Sequence, residues 1–244
     1  MMDFIDILLS AAARANIAVT QPQAELLSRH VQIMLDWNSR INLTRITAPE
    51  EVIVKHLLDS IAPARCLPVT GRALDVGAGA GFPGIPLKIV SPDLDMLLLE
   101  STRKKVNFLN AAAASLQLPG LSAQHQSWQD FRKRKENVGT FQLIVMRAIK
   151  PEAEHINRLA ASLLAPGGFF ARWESLDTHS HKKTLHKAKK NHRPDVEFYG
   201  EFAYSLPGLD HPRVVRLWQK AAGVSPEPGG LAGVSPETGG LAQL

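Results

Sequence analysis

What the chain lacks narrows it first. One cysteine, Cys66, stands among 244 residues, so no disulfide forms within the chain and no cysteine metal site can be assembled. No activating motif surrounds that thiol, which reads as a packing residue, buried or half-buried beside Pro63 and Pro68. No apolar run approaches the roughly 18 residues of a membrane span, and the amino terminus lacks the charged-then-apolar layout of a signal peptide. These absences lead to the expectation of a cytoplasmic protein with no membrane and no metal. Also missing is a Tyr-x-x-x-Lys pattern or anything comparable that would mark a hydride-transfer site. Charge is not missing: the net +5 favours an anionic partner, though only weakly by itself.

What is present is organised around Arg72 to Leu87, RALDVGAGAGFPGIPL. A short apolar run, Ala73 to Val76, breaks into glycines at alternate positions, Gly77, Gly79 and Gly81, followed by Gly84 and a segment with helical spacing. That is strand, glycine turn, helix. Glycine lets backbone take positive φ or lets a ligand approach without a Cβ in the way, and a helix amino terminus behind the turn offers N–H groups. Gly79-Ala80-Gly81-Phe82-Pro83-Gly84 satisfies the dinucleotide pattern G-x-G-x-x-G. Asp75-x-Gly77-x-Gly79-x-Gly81 equally satisfies the acidic turn of Rossmann-like S-adenosylmethionine (SAM) methyltransferases.

Spacing does not separate these readings, because Glu100, ending the next apolar run, could bond a ribose hydroxyl in either. Asp75 decides for SAM: a carboxylate facing the ligand suits an ammonium and a sulfonium and repels a pyrophosphate. Pro83 and Pro86 add to this by removing donors that a pyrophosphate would use.

Taken in order, residues 3–16 and 22–38 carry apolar side chains three and four apart and predict amphipathic helices. Thr47 with Glu50 predicts a capping box opening a third helix to about Ile61. Trp37 and Ile41 read as helix-to-core packing, and His56 as a hydrogen-bonded structural histidine. From the glycine turn onward strands and helices alternate: strands at 94–99, 121–126, 141–146 and 168–173, with a helix capped by Ser101 and another at 151–164. Alternation of this kind implies a parallel, doubly wound sheet, with ligands beyond the carboxyl ends of its strands. Asp75, Glu100, Trp128 to Asp130 and Arg147 then converge on one crevice. Residues 196–203 and 212–219 predict two last strands, which could join as a hairpin, and the tandem near-repeat in 222–244 reads as disordered.

The motifs Met34-Leu35-x-Trp37-Asn38, Asn42-Leu43-Thr44, His56-x-Leu58-Asp59-Ser60, Asp75 through Leu87, Lys105-x-x-Phe108-Leu109 and Arg147-Ala148 resemble the RsmG (GidB) family of bacterial small-subunit rRNA methyltransferases over about residues 25–220. The resemblance implies a Rossmann-like SAM-dependent methyltransferase sheet with an N-terminal helical extension, and methylation of a guanine N7 in 16S rRNA. It implies SAM contacts at Gly77, Phe82, Trp128, Gln129 and Arg147, beside Asp75, Gly79 and Glu100 from the turn itself. Two departures stand out. Trp128-Gln129 replaces a small residue followed by Glu, so that Asp130 is a second candidate for that role. Trp173-Glu174 stands where the family tends to carry lysine and glycine, and the lysine-rich stretch 182–190 could compensate.

Methyl transfer to a neutral lone pair needs alignment rather than a base, so no catalytic residue is assigned. Arg147 is left open between a ligand contact and an ion pair with Asp75, Glu100 or Asp130. Arg132 to Lys135, Arg103 to Lys105 and Lys182 to Arg193 are candidate RNA contacts if they share a face. The expected organisation is a helical extension at 1–65, the methyltransferase domain at 66–221 and a tail at 222–244, acting as a monomer on 16S rRNA or the small ribosomal subunit. An NAD-type oxidoreductase and a non-catalytic RNA-binding relative are the alternatives.

Overall fold

The computed structural model describes residues 3–148, 153–175 and 195–222. Two helices open it, α1 (Phe4–Arg14), capped by the Asp3 side chain, and α2 (Gln21–Asn38), opened by a full capping box in which Thr20 and Gln23 exchange hydrogen bonds. Their apolar stripes bury Leu8, Ala11, Leu27, Val31 and Met34. The third helical segment is not uniform. It runs as α3 (Pro49–Val52), a π turn (Ile53–Leu58) and α4 (Asp59–Ile61). Its N-cap is Ala48 without a side-chain bond, so the Thr47–Glu50 capping box does not form. Pro49 at the first turn begins the helix instead, with φ pre-set and no donor to satisfy.

Seven strands follow: β1 (Gly71–Val76), β2 (Leu94–Glu100), β3 (Leu121–His125), β4 (Phe141–Arg147), β5 (Leu164–Ser175), β6 (Val196–Tyr204) and β7 (Arg213–Lys220). Helices α5 (Gly84–Val90), α6 (Arg103–Leu116), α7 (Trp128–Phe131) and α8 (Ala153–Leu163) lie between them. The sheet order is β3-β2-β1-β4-β5-β7-β6. The first five strands pair in parallel. The last two do form an antiparallel pair, but β7 inserts between β5 and β6 and runs antiparallel to both. Central strands β1 and β4 are buried on both faces, which accounts for their unbroken apolar runs. Ser101 does not cap α6; Thr102 occupies the N-cap, and its N–H is taken by the Glu100 carboxylate at 2.8 Å.

Two cores sandwich the sheet. One joins α1, α2 and the α3–α4 segment to α5, α6 and one sheet face, with Leu27, Met34, Leu57, Ile85, Leu98, Phe108 and Val145 fully buried in it. The other lies under α8 and holds Leu74, Phe131, Phe141, Ile144, Leu159 and Phe170. The N-terminal helices therefore share a continuous hydrophobic core with the sheet. Cys66 is half-buried, its thiol bonded to the Pro63 carbonyl at 3.0 Å, as an inert packing residue would be. The lysine-rich stretch 182–190 and all but the first residue of the 222–244 tail lie outside the described residues.

Candidate active site

The glycine turn leaves the carboxyl end of β1 and enters α5 at the centre of the sheet, where β1 lies between β2 and β4. Gly77, Gly79 and Gly81 all have positive φ. A Cβ on Gly81 would sit 2.5 Å from Ile85 Cδ1, and one on Gly84 would sit 2.6 Å from Asp75 Oδ2 and from Leu98 Cδ2. Glycine is thus required twice over, by backbone angle at Gly81 and by space at Gly84.

Four donors of this turn are already engaged. The N–H groups of Gly77 and Ala78 donate to the Leu99 carbonyl, that of Gly79 to Glu100 Oε2 at 3.1 Å, and that of Gly81 to the Ala78 carbonyl. At the start of α5, Gly84 donates to Asp75 Oδ2 at 2.9 Å, Ile85 to Gly81 and Leu87 to Pro83, while Pro86 has no N–H. An anion site at a helix amino terminus depends on free donors; α5 has none in its first turn. The dinucleotide reading fails on this geometry.

Asp75 itself differs from its expected posture. Rather than facing a ligand openly, it is 1 % exposed and bonds the amino end of α5. Burial pushes its carboxyl up to about 7, against the opposing pull of the Gly84 N–H and of Arg147. Its Oδ1 is buried with no hydrogen-bond partner, an acceptor lacking a donor. Glu100, ending β2, is buried as well and binds both the glycine turn and the Thr102 N–H.

Phe82 is enclosed. Its ring stacks on His56 at 4.6 Å between centroids and tilts against His30 at 4.8 Å. Both histidines are driven down to about 4, chiefly by burial, and are neutral at pH 7. His30 donates from Nε2 to the Ala80 carbonyl at 3.0 Å, locking α2 onto the turn. His30 carries no motif and was not singled out in the sequence; a lone histidine on an apolar helix face gives no signal of what lies opposite.

Arg147, the last residue of β4, is held by the third helical segment. Its guanidinium pairs with Asp59 at 3.1 Å, donates to the Lys55 carbonyl at 3.0 Å and to Ser60 Oγ at 3.2 Å, and meets His56 Nδ1 at 2.9 Å. The ion-pair reading thus applies, but with Asp59 in place of Asp75, Glu100 or Asp130. Guanidinium only donates, so His56 Nδ1 must accept, and the neutral ring carries its proton on Nε2, 2.9 Å from Thr44 Oγ1. Asp59 in turn accepts from the Tyr204 hydroxyl at 2.8 Å, and its carbonyl accepts from Trp173 Nε1 at 2.8 Å. Asn38, Thr44, His56, Asp59, Ser60 and Arg147 form one hydrogen-bonded unit, which the π turn helps assemble by bringing Lys55, His56 and Asp59 to the same arginine.

The departures from the family pattern also find places. Trp173 is 6 % exposed and supports Asp59. Glu174 pairs with Arg172 and Arg216, and Arg216 also with Glu201 at 3.3 Å, so Glu174 is tied into β5, β7 and β6. Trp128 opens α7, half-buried against the second core, and Gln129 is exposed. Asp130 exchanges hydrogen bonds with Ser127 and pairs with Lys133, which caps α7 and leaves that carboxylate at the surface. The basic segments do not all gather at the crevice. Arg103 to Lys105 begin α6, but Arg132 lines a cavity of about 410 Å³ with Arg158, Ser162 and Asp195, near the amino ends of β5 and β6.

Known proteins agree with this architecture. Ribosomal RNA small subunit methyltransferase G 1 of Syntrophobacter fumaroxidans is 45% identical over 208 residues, 84% of this chain and 91% of that protein. Ribosomal RNA small subunit methyltransferase G of Lactococcus lactis is 32% identical over 219 residues, 88% of this chain and 90% of the other. Among solved structures, M. jannaschii TYW2 in complex with AdoMet shares the fold, with a TM-score of 0.52 at 14% identity over 68% of this chain and 76% of that one. The family model of GidB, rRNA small subunit methyltransferase G, matches residues 23–198, and the chain belongs to that family.

Proposed function

We propose that the protein transfers the methyl group of SAM to N7 of a guanine in 16S rRNA, acting as a metal-free cytoplasmic monomer on the free RNA or the small ribosomal subunit. The observation that carries the reading is the glycine turn whose Gly77, Ala78, Gly79 and Gly81 N–H groups, with those of the first turn of α5, are closed on protein acceptors while two buried carboxylates, Asp75 and Glu100, stand behind it. Such a floor suits a cationic cofactor and refuses a pyrophosphate. The buried, donor-less Asp75 Oδ1 fits a group bearing an ammonium.

The residues assigned to SAM are Asp75, Gly77, Gly79, Phe82, Glu100, Trp128, Gln129 and Arg147. Asp75 and Arg147 act from behind the surface, through α5 and Phe82. Phe82 contributes its backbone, because its ring is occupied by the two histidines. When bound, SAM would supply a sulfonium-activated methyl group: the N7–methyl bond would form as the sulfur–methyl bond breaks in line, the electron pair returning to sulfur to leave a neutral thioether and the positive charge passing to the base. A neutral lone pair attacks, so no side chain has to remove a proton. What the chain supplies is alignment, and the Arg147–His56–Phe82 stack fixes the turn on which alignment depends. Residues 1–65 are proposed to cover the turn and to face the RNA, and 66–221 to carry the cofactor.

Titrating the purified protein with SAM and with NADH separates the cofactor readings: heat with SAM alone is expected. Incubation with labelled SAM and small-subunit rRNA from a strain lacking this gene should then create a new cleavage site at N7-methylguanosine. Heat with NADH alone, or label on RNA that is resistant to such cleavage, overturns the assignment.

A further inference from the structure

Between α2 and α3 a loop of residues 39–48 presents polar side chains that the fold does not use. Asn38 Oδ1 accepts from the N–H groups of Leu43 and Thr44, at 2.9 and 3.0 Å. Thr44 Oγ1 accepts from Ile46 N–H at 3.1 Å and from His56. Ile41, Leu43 and Ile46 pack against the first core. The loop is therefore held both by hydrogen bonds and by apolar anchors, and its intervening residues point the other way. Arg40, Asn42 and Arg45 are exposed, and their side chains make no hydrogen bond or ion pair with any described residue. The loop is also tied to the cofactor turn: Thr44 bonds His56, and His56 stacks on Phe82 at 4.6 Å.

The chemistry of the target limits how it can be held. A guanine to be methylated at N7 must keep that lone pair free, so an arginine fork onto O6 and N7 is ruled out. The base has to be gripped at its Watson–Crick edge, where O6 accepts and N1–H donates. A carboxamide offers one donor and one acceptor side by side and matches that pair. Phosphates on either side call for arginines, whose forks suit them.

Resting on the function proposed above, we infer that the 40–45 loop is the substrate-holding element: Asn42 takes the Watson–Crick edge of the target guanine, and Arg40 and Arg45 take flanking phosphates. A pre-ordered loop serves this purpose because little conformational entropy remains to be lost on binding RNA.

The test compares the full-length parent with Asn42→Ala, Asn42→Asp, Arg40→Ala and Arg45→Ala. SAM affinity and melting temperature should match the parent in all four, since none of these side chains supports the fold. With small-subunit rRNA, both Asn42 variants should lose about ten- to a hundredfold in kcat/KM, the range for a bidentate base contact. Asp fails alongside Ala because it has no donor for O6. Each arginine variant should raise KM for RNA with kcat kept, and should lower the salt slope of binding by about one. Variants that equal the parent in KM, kcat/KM and salt slope overturn the inference while leaving the methyltransferase reading intact. A parent that methylates no RNA overturns both.

Discussion

At the scale of single residues, Asp59 and Arg147 hold most of the information. Removing one partner of a buried ion pair leaves the other charge uncompensated, at a cost of about 3–5 kcal/mol. Asp59→Ala strands Arg147 and also deprives Arg213, 3.8 Å away, of its anion, so it should sit at the upper end. Arg147→Ala leaves Asp59 with the Tyr204 hydroxyl and Arg213 and should cost less. Because the two share partners, the double variant should lose less than the sum of the single losses. Urea unfolding measures all three; strict additivity would show that the pair is not coupled.

Three buried groups set a pH dependence. Asp75 titrates near 7 in the fold against an ordinary 3.8, so its contribution to stability is full below about pH 4 and is lost as pH rises through 7. His30 and His56, lowered to about 4 from 6.5, act in reverse: their contribution is full above 6.5 and is lost as pH falls through 4. Between pH 6.5 and 7.5 Asp75 loses its proton in the fold while the two histidines lose theirs only in the unfolded chain, so the two effects oppose each other in the parent. Thermal melts across that window should show Asp75→Asn, which keeps an acceptor for Gly84, gaining stability relative to the parent as pH rises. A constant difference between the two would place the titrating group elsewhere.

At the scale of elements, α2 is fastened to the glycine turn through one bond, His30 to the Ala80 carbonyl, inside an aromatic cluster with Phe82 and Phe108. His30→Leu keeps the apolar contact and removes the donor, leaving a buried carbonyl unsatisfied. The expected cost is about 1–3 kcal/mol, with SAM affinity weakened because the turn is loosened. Calorimetric titration beside a denaturant curve checks both; a variant stabilised by the substitution would show that the bond contributes nothing. The helices themselves were largely legible in the sequence, because amphipathic spacing is local. The π turn was not: Ile53–Leu58 has ordinary helical spacing, and its extra residue per turn answers to Arg147 across the chain.

At the scale of the whole molecule, the helical layer and the sheet share one core, with Leu27, Met34 and Leu57 buried in the same cluster as Ile85 and Val145. Scanning calorimetry should therefore give a single endotherm. SAM at a hundred times its Kd should shift the entire transition, by about 2.7 kcal/mol of added stability. Two endotherms, of which only the later moves with SAM, would mark residues 1–65 as an independent unit.

The sequence by itself determined the strand–turn–helix at Asp75 to Leu87, the alternation of strands and helices, and the family, because each is written in neighbouring residues with periods of two or 3.6. Only tertiary structure decided that β7 inserts between β5 and β6, that Asp75 turns inward to α5, and that Arg147 belongs to Asp59 and Ser60, the latter 87 positions away. The reason is physical. A buried polar group must find a partner wherever the chain brings one within about 3 Å, and distance along the sequence does not enter that requirement.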